Sequence, residues 1–209
     1  MNFKRYNVSV FLLTAVLLLV GLAACSSPIK LPRLATDAVV VAFGDSITFG
    51  TGADPQESYP AVLEKLIGRR VINAGVPGEV TASGLSRLPE ILEREKPALL
   101  ILCHGGNDLL RGMSEQQAAD NIRAMIRIAK QKGIVVVMIA VPSPGILVSP
   151  ASLYGEIAKE LNIPLEEETL SLVLADGSLK SDYIHPNAAG YRRIAEALAT
   201  LLKKNGAID

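Results

Sequence analysis

Three residue types in this chain are enough for acyl transfer, provided a fold brings them together. Ser46 ends the stretch Val39-Val40-Val41-Ala42-Phe43-Gly44-Asp45-Ser46, in which an apolar run stops at a glycine, an acid and a hydroxyl. His185 lies in Asp182-Tyr183-Ile184-His185-Pro186. Acyl transfer needs a nucleophile, a base, a group that orients the base, and donors for the oxyanion. Ser46 is the candidate nucleophile and His185 its base. Asp182 is close enough in a turn to accept from the second imidazole nitrogen. Gly78 can offer a backbone N–H at close range because it has no side chain, and Asn107 can offer its amide. Gly75 is a rival for the glycine role. The other histidine, His104, follows an apolar run and has no acid at turn spacing before it, so it ranks behind His185 as base and is expected at most to border the pocket. Asp45 is expected to bond local backbone, and Asp108 to cap the segment after it.

These residues need elements that place them at one edge. A short valine-rich run closed by glycine reads as a buried strand of a parallel sheet, here Val39–Phe43. Ligands of open α/β sheets bind at the carboxyl ends of such strands. Further strands are predicted at 70–73, 98–103, 134–141 and 163–165. Helices are predicted at 59–67, 81–95, 114–132 (with Ser114 as cap), 151–161 and 187–204, with a helical piece at 167–174. Strands alternating with helices imply right-handed crossovers and a parallel sheet covered on both faces. The candidate residues then fall after strand one (Ser46), after strand two (Asn73 to Gly78), after strand three (Gly105-Gly106-Asn107-Asp108) and before the last helix.

Composition narrows the function. The chain has 209 residues, 49% apolar and 20% charged, which suits one globular domain. Lys plus Arg equals Asp plus Glu at 21 each, so no basic excess exists to neutralise phosphates, and no nucleic-acid partner is expected. The two histidines are far apart and lack ligand spacing, so neither a metal nor another cofactor is expected. Gly44-Asp45-Ser46-Ile47-Thr48 is not G-x-S-x-G, which excludes the nucleophile elbow, and residues 44–51 lack the lysine of a P-loop.

The start of the chain reads as a targeting segment. Lys4 and Arg5 precede an apolar run from Val8 to Ala24, a secretory signal pattern. It ends Leu22-Ala23-Ala24-Cys25, which resembles the lipobox of bacterial lipoproteins, and implies lipidation of Cys25 as the mature N-terminus. Ser26 then suits outer-membrane sorting, facing the periplasm, in a Gram-negative cell. The expected division is a signal peptide at 1–24, a lipidated tether at 25–36 and a catalytic domain at 37–209. Removing Lys4 and Arg5 leaves the mature part with a formal charge of −2. With Cys25 lipidated, Cys103 stands alone as a small buried residue and no disulfide is possible.

The set Ser46, Gly78, Asn107 and His185 resembles the SGNH hydrolases, also called the GDSL lipase family. The segments 44–46, 73–78, 83–89, 105–112 and 182–187 look most like its thioesterase I, lysophospholipase and arylesterase branch. The resemblance implies a three-layer α/β/α sandwich around a five-stranded parallel sheet, flavodoxin-like in order. It implies an acyl-Ser46 intermediate, with His185 as base, Asp182 as orienter, and an oxyanion hole from the Ser46 and Gly78 N–H groups and the Asn107 amide. Its motif register favours Gly78 over Gly75. The chain departs from the pattern at Ile47, where the family name expects Leu, and at Cys103-His104, where apolar residues are expected. The function implied is hydrolysis of small acyl esters or thioesters by a monomer. The alternatives are deacetylation of a cell-envelope polysaccharide and a non-catalytic binding lipoprotein. Ala140 to Val148 is expected to form an apolar lip for an acyl chain.

Overall fold

The computed structural model describes residues 29–145 and 148–209; the signal segment and Cys25 lie outside this range. Five strands run parallel in the order β2-β1-β3-β4-β5. They are β1 (Val40–Gly44), β2 (Val71–Gly75), β3 (Leu99–Cys103), β4 (Val135–Ile139) and β5 (Leu165–Glu166). β1 and β3 are buried at every position, as their unbroken apolar runs require when helices cover both faces. One face carries α3 (Thr81–Glu95), α5 (Glu115–Gln131) and α6 (Ser152–Leu161). The other carries α2 (Tyr59–Ile67), α7 (Thr169–Ala175) and the long closing helix α8 (Ala188–Lys204). This is the three-layer sandwich that the alternating pattern predicts.

The helix ends obey their sequence signals. Ser114 Oγ accepts from Gln117 N at 3.2 Å, and Asn187 Oδ1 accepts from Gly190 N at 3.1 Å, each satisfying an N–H that the first helical turn cannot. Two short helices were not expected: α1 (Ser46–Phe49) after β1 and α4 (Gly106–Leu110) after β3. α1 begins at Ser46 and α4 one residue before Asn107, so each loop turns into a helix at a candidate site residue.

Two boundaries shift for physical reasons. β2 runs on through Ala74 and Gly75, which were expected to lie in the loop, because Gly75 pairs with Gly44 beyond the apolar stretch. The packed body also begins before residue 37. Leu31 N donates to Asn205 O, Leu34 N donates to Ala207 O, and Leu34 is buried against the end of α8. The described part of the expected tether is therefore docked on the domain.

Candidate active site

Asp45 and Ser46 follow β1 at the carboxyl edge of the sheet. Asp45 caps α1, its Oδ1 accepting from Ile47 N at 3.0 Å, as local bonding predicts. Ser46 opens α1, where a first-turn N–H has no partner within the helix. Only glycine fits at the last position of this strand, because Gly44 is hemmed in. A Cβ there would lie 1.9 Å from Cys103 O and 2.4 Å from Thr48 Oγ1.

The turn before α8 delivers the histidine. Asp182 Oδ1 accepts from Ile184 N at 2.8 Å and from His185 N at 2.9 Å, so the carboxylate builds the turn that carries its own partner. Asp182 Oδ2 lies 2.7 Å from His185 Nδ1, and His185 Nε2 lies 3.0 Å from Ser46 Oγ. An ionised carboxylate only accepts, so Nδ1 carries the proton and Nε2 is left to accept from the serine hydroxyl. Burial pushes the Asp182 carboxyl up, but the His185 ring and the two turn N–H groups outweigh it and hold it below its ordinary value. Ser46, His185 and Asp182 are thus linked in one chain of hydrogen bonds, from segments 139 residues apart.

Asn107, the second residue of α4, lines the same cleft as Ser46 and His185. Its Nδ2 donates to Glu79 O at 3.0 Å and to Asp45 Oδ2 at 3.3 Å. Asp45 is fully buried, and burial raises its carboxyl despite the opposing pull of both histidines and the Ile47 N–H. Gly78 lies in the turn closed by Glu79 N donating to Val76 O, and its φ of +76° is the left-handed region that favours glycine. Its carbonyl accepts from Arg111 at 2.8 Å, while among the described hydrogen bonds its N–H has no acceptor. Gly75 is not its equal, since its N–H is taken by Asn73 Oδ1 at 3.0 Å. Nor does Gly75 serve a loop turn: it ends β2, and a Cβ there would lie 2.1 Å from Phe49 N.

Two expectations are corrected. Asp108 does not cap the segment after it. Its Oδ2 accepts from Thr81 N at 2.9 Å and its Oδ1 from Thr81 Oγ1 at 2.6 Å, so it caps the start of α3, earlier in the chain. The first N–H groups of α3 need an acceptor, and α4 brings one across. His104 does not border the cleft; it is buried beneath it, with Nε2 3.1 Å from Glu79 Oε2. Cys103 is buried as expected, and burial beside Asp45 pushes its thiol far up, so it stays an inert thiol.

The cleft holds about 360 Å³, within the range of small-molecule sites. Val141, Pro142 and Val148 of the expected lip line it, whereas Ala140 is buried in the core and Leu147 lies outside the described residues. Sequence reading missed Leu170, Leu174 and Leu110, which complete its apolar wall. The i, i+4 pair in α7 was the available signal for the first two.

A hydroxyl, an imidazole and a carboxylate joined at the carboxyl edge of a parallel sheet, beside an apolar cleft, define a serine-type ester hydrolase. A model of the GDSL-like lipase/acylhydrolase family matches residues 42–193, and the chain belongs to that family. It is similar to the esterase TesA of Pseudomonas aeruginosa, 32% identical over 195 residues that cover 87% of this chain and 96% of that one. It is also similar to the thioesterase 1/protease 1/lysophospholipase L1 of Escherichia coli, at 28% identity over 82% and 86% of the two chains. A crystal structure of TesA superposes with a TM-score of 0.72 at 31% identity, covering 79% of this chain and 98% of that one.

Proposed function

We propose that this protein hydrolyses carboxylic esters or thioesters of apolar acyl groups through an acyl-Ser46 intermediate. The observation that carries the reading is the 3.0 Å contact between His185 Nε2 and Ser46 Oγ, with Nδ1 held by Asp182. Ser46 Oγ attacks the substrate carbonyl carbon as its proton passes to His185 Nε2. Asp182 keeps the ring in the tautomer that can accept that proton and favours the imidazolium that results. The carbonyl oxygen becomes an oxyanion, which takes hydrogen bonds from the Ser46 and Gly78 N–H groups and from the Asn107 amide. The Asn107 proton that now reaches Asp45 at 3.3 Å is the more weakly held of its two, and is the one an oxyanion would capture. Collapse breaks the ester bond, and His185 protonates the departing alcohol or thiol. A water molecule, deprotonated by His185, attacks the acyl carbon; the bond to Ser46 Oγ then breaks, His185 returns the proton to Oγ, and the acid leaves.

The apolar wall of Val141, Val148, Leu170 and Leu174 favours an acyl chain over a sugar, and the names of the relatives, esterase and thioesterase 1/lysophospholipase L1, support this class. Rates on p-nitrophenyl acetate, octanoate and an acyl-coenzyme A thioester test it against an acetylated glycan. Higher kcat/KM on the octanoyl esters is the expected result, and turnover confined to the glycan would overturn it.

We further propose that the chain acts as a monomeric lipoprotein held to the cell envelope through Cys25. Lys4, Arg5, the apolar run and Leu22-Ala23-Ala24-Cys25 support this reading. Metabolic labelling with a fatty acid should mark the wild-type chain and not Cys25→Ala.

A further inference from the structure

Beneath the cleft lies a second cluster of ionisable groups that the reaction does not touch. Glu79 is 9% exposed. Arg87 grips its carboxylate twice, Nε to Oε1 at 2.8 Å and Nη2 to Oε2 at 2.7 Å. His104 Nε2 sits 3.1 Å from Oε2 on the other side. The tautomer follows from the remaining bond: His104 Nδ1 accepts from Gly105 N at 3.0 Å, so Nε2 carries the proton and donates to Glu79. Burial pushes the Glu79 carboxyl up, but the bonds from Arg87 and His104 outweigh it and bring it down to about 2.

The cluster is fastened to the sheet. Arg87 Nη2 donates to Ala74 O at 2.9 Å at the end of β2, and its guanidinium lies 4.0 Å over the Phe43 ring of β1. His104 fits only because α3 carries Gly84 opposite it, where a Cβ would lie 2.3 Å from Nε2. Tyr154 of α6 holds the His104 carbonyl at 2.8 Å.

What this scaffold fixes is the turn above it. Glu79 N closes the turn that carries Gly78, and Glu79 O is the 3.0 Å acceptor for the Asn107 amide. One residue therefore joins a locked side chain below to both proposed oxyanion donors above. We infer that Glu79, held by Arg87 and His104, is a positioning residue that sets the Gly78 N–H and the Asn107 amide for the oxyanion. The inference rests on the acyl-transfer reading above. It also gives the unexpected His104 a role: a fixed donor in place of the apolar residue the family pattern predicts.

The test is a double-mutant cycle between Glu79→Gln and Asn107→Ala, read in kcat and KM on p-nitrophenyl octanoate, with thermal unfolding as a control. Glu79→Gln keeps the side chain's shape and removes its charge. It should lower kcat about 10- to 100-fold, part of what an oxyanion donor supplies. KM should stay within about twofold, because the lost interaction is made in the transition state. In the Asn107→Ala background the same change should cost under about threefold, because coupled residues are not additive. Equal losses in the two backgrounds, or an unchanged kcat in Glu79→Gln, would overturn the inference and leave the acyl-transfer reading intact. An undiminished kcat in Asn107→Ala alone would overturn the donor assignment and this inference with it. If Glu79→Gln does not fold, His104→Leu enters the same cycle. It removes one donor, leaves the Arg87 pair, and should again lose its effect once Asn107 is gone.

Discussion

The two histidines of this chain are both bonded to a carboxylate, and they hold opposite tautomers. His185 carries its proton on Nδ1, toward Asp182, and leaves Nε2 free to accept from Ser46. His104 accepts at Nδ1 from a backbone N–H and carries its proton on Nε2, toward Glu79. The first pair is partly open to solvent: the Asp182 side chain is 50% exposed. The second is closed, with the His104 side chain fully buried and Glu79 further pinned by Arg87. A histidine that must take up and release a proton needs an acceptor nitrogen that faces the reacting hydroxyl at an open cleft. A histidine that must hold a turn still needs both nitrogens occupied and no water. In the roles proposed for them the two pairs do different tasks, and their surroundings decide which.

The largest test of this contrast is at the open pair. Ser46→Ala removes the only partner of His185 Nε2 among the described residues and should lower kcat by about 10⁴-fold or more, with folding unchanged. Asp182→Asn comes next. An amide in place of the carboxylate can donate to Nδ1, pushing His185 into the tautomer that His104 has, and kcat should fall by up to about 10⁴-fold. A loss under about tenfold would mean that the carboxylate does not set the tautomer. Stability should barely move, since Asp182 is half exposed.

The closed pair should respond in the reverse sense. Gly84→Ala drives a methyl into His104 Nε2 and should destabilise the fold by about 1–3 kcal/mol, read by chemical unfolding. Acid should also separate the two pairs. The Glu79 carboxyl is lowered from 4.5 to about 2. Its stabilisation is fully present above the unfolded value and is lost as pH falls from there through about 2. For a side chain only 6% exposed, linkage makes this on the order of 3 kcal/mol. Glu79→Gln should therefore flatten the acid limb of the stability curve between roughly pH 5 and 2, relative to wild type. Asp45 contributes with the opposite sign, since burial raises its carboxyl and protonation relieves that cost. An unchanged acid limb in Glu79→Gln would mean that the buried pair holds nothing.

The same contrast explains what was legible in the sequence. Asp182 and His185 are three residues apart, and a turn brings them together with no help from the rest of the chain. Glu79 and His104 are 25 residues apart, on a loop and a strand end, and nothing in their spacing announces them. They meet only because β2 and β3 flank β1, and because Gly84 leaves space on α3. The parallel sheet was readable from Val40–Gly44 and Leu99–Cys103, whose burial on both faces shows as unbroken apolar runs. Asp108 was misplaced for the reason that hid Glu79. A capping acid is expected to serve its own segment, and this one serves Thr81 across the fold. The apolar wall was half visible, because Leu170 and Leu174 reach the cleft from an element whose placement follows from topology alone.

The most direct measurement is covalent trapping of the nucleophile. Folded protein treated with a fluorophosphonate should gain one adduct per chain, and peptide mapping should place it on Ser46. Ser46→Ala should take up none, and Asp182→Asn should react far more slowly. Active wild-type protein that resists the reagent, or that carries the adduct on another residue while Ser46→Ala keeps full turnover, would contradict an acyl-Ser46 mechanism.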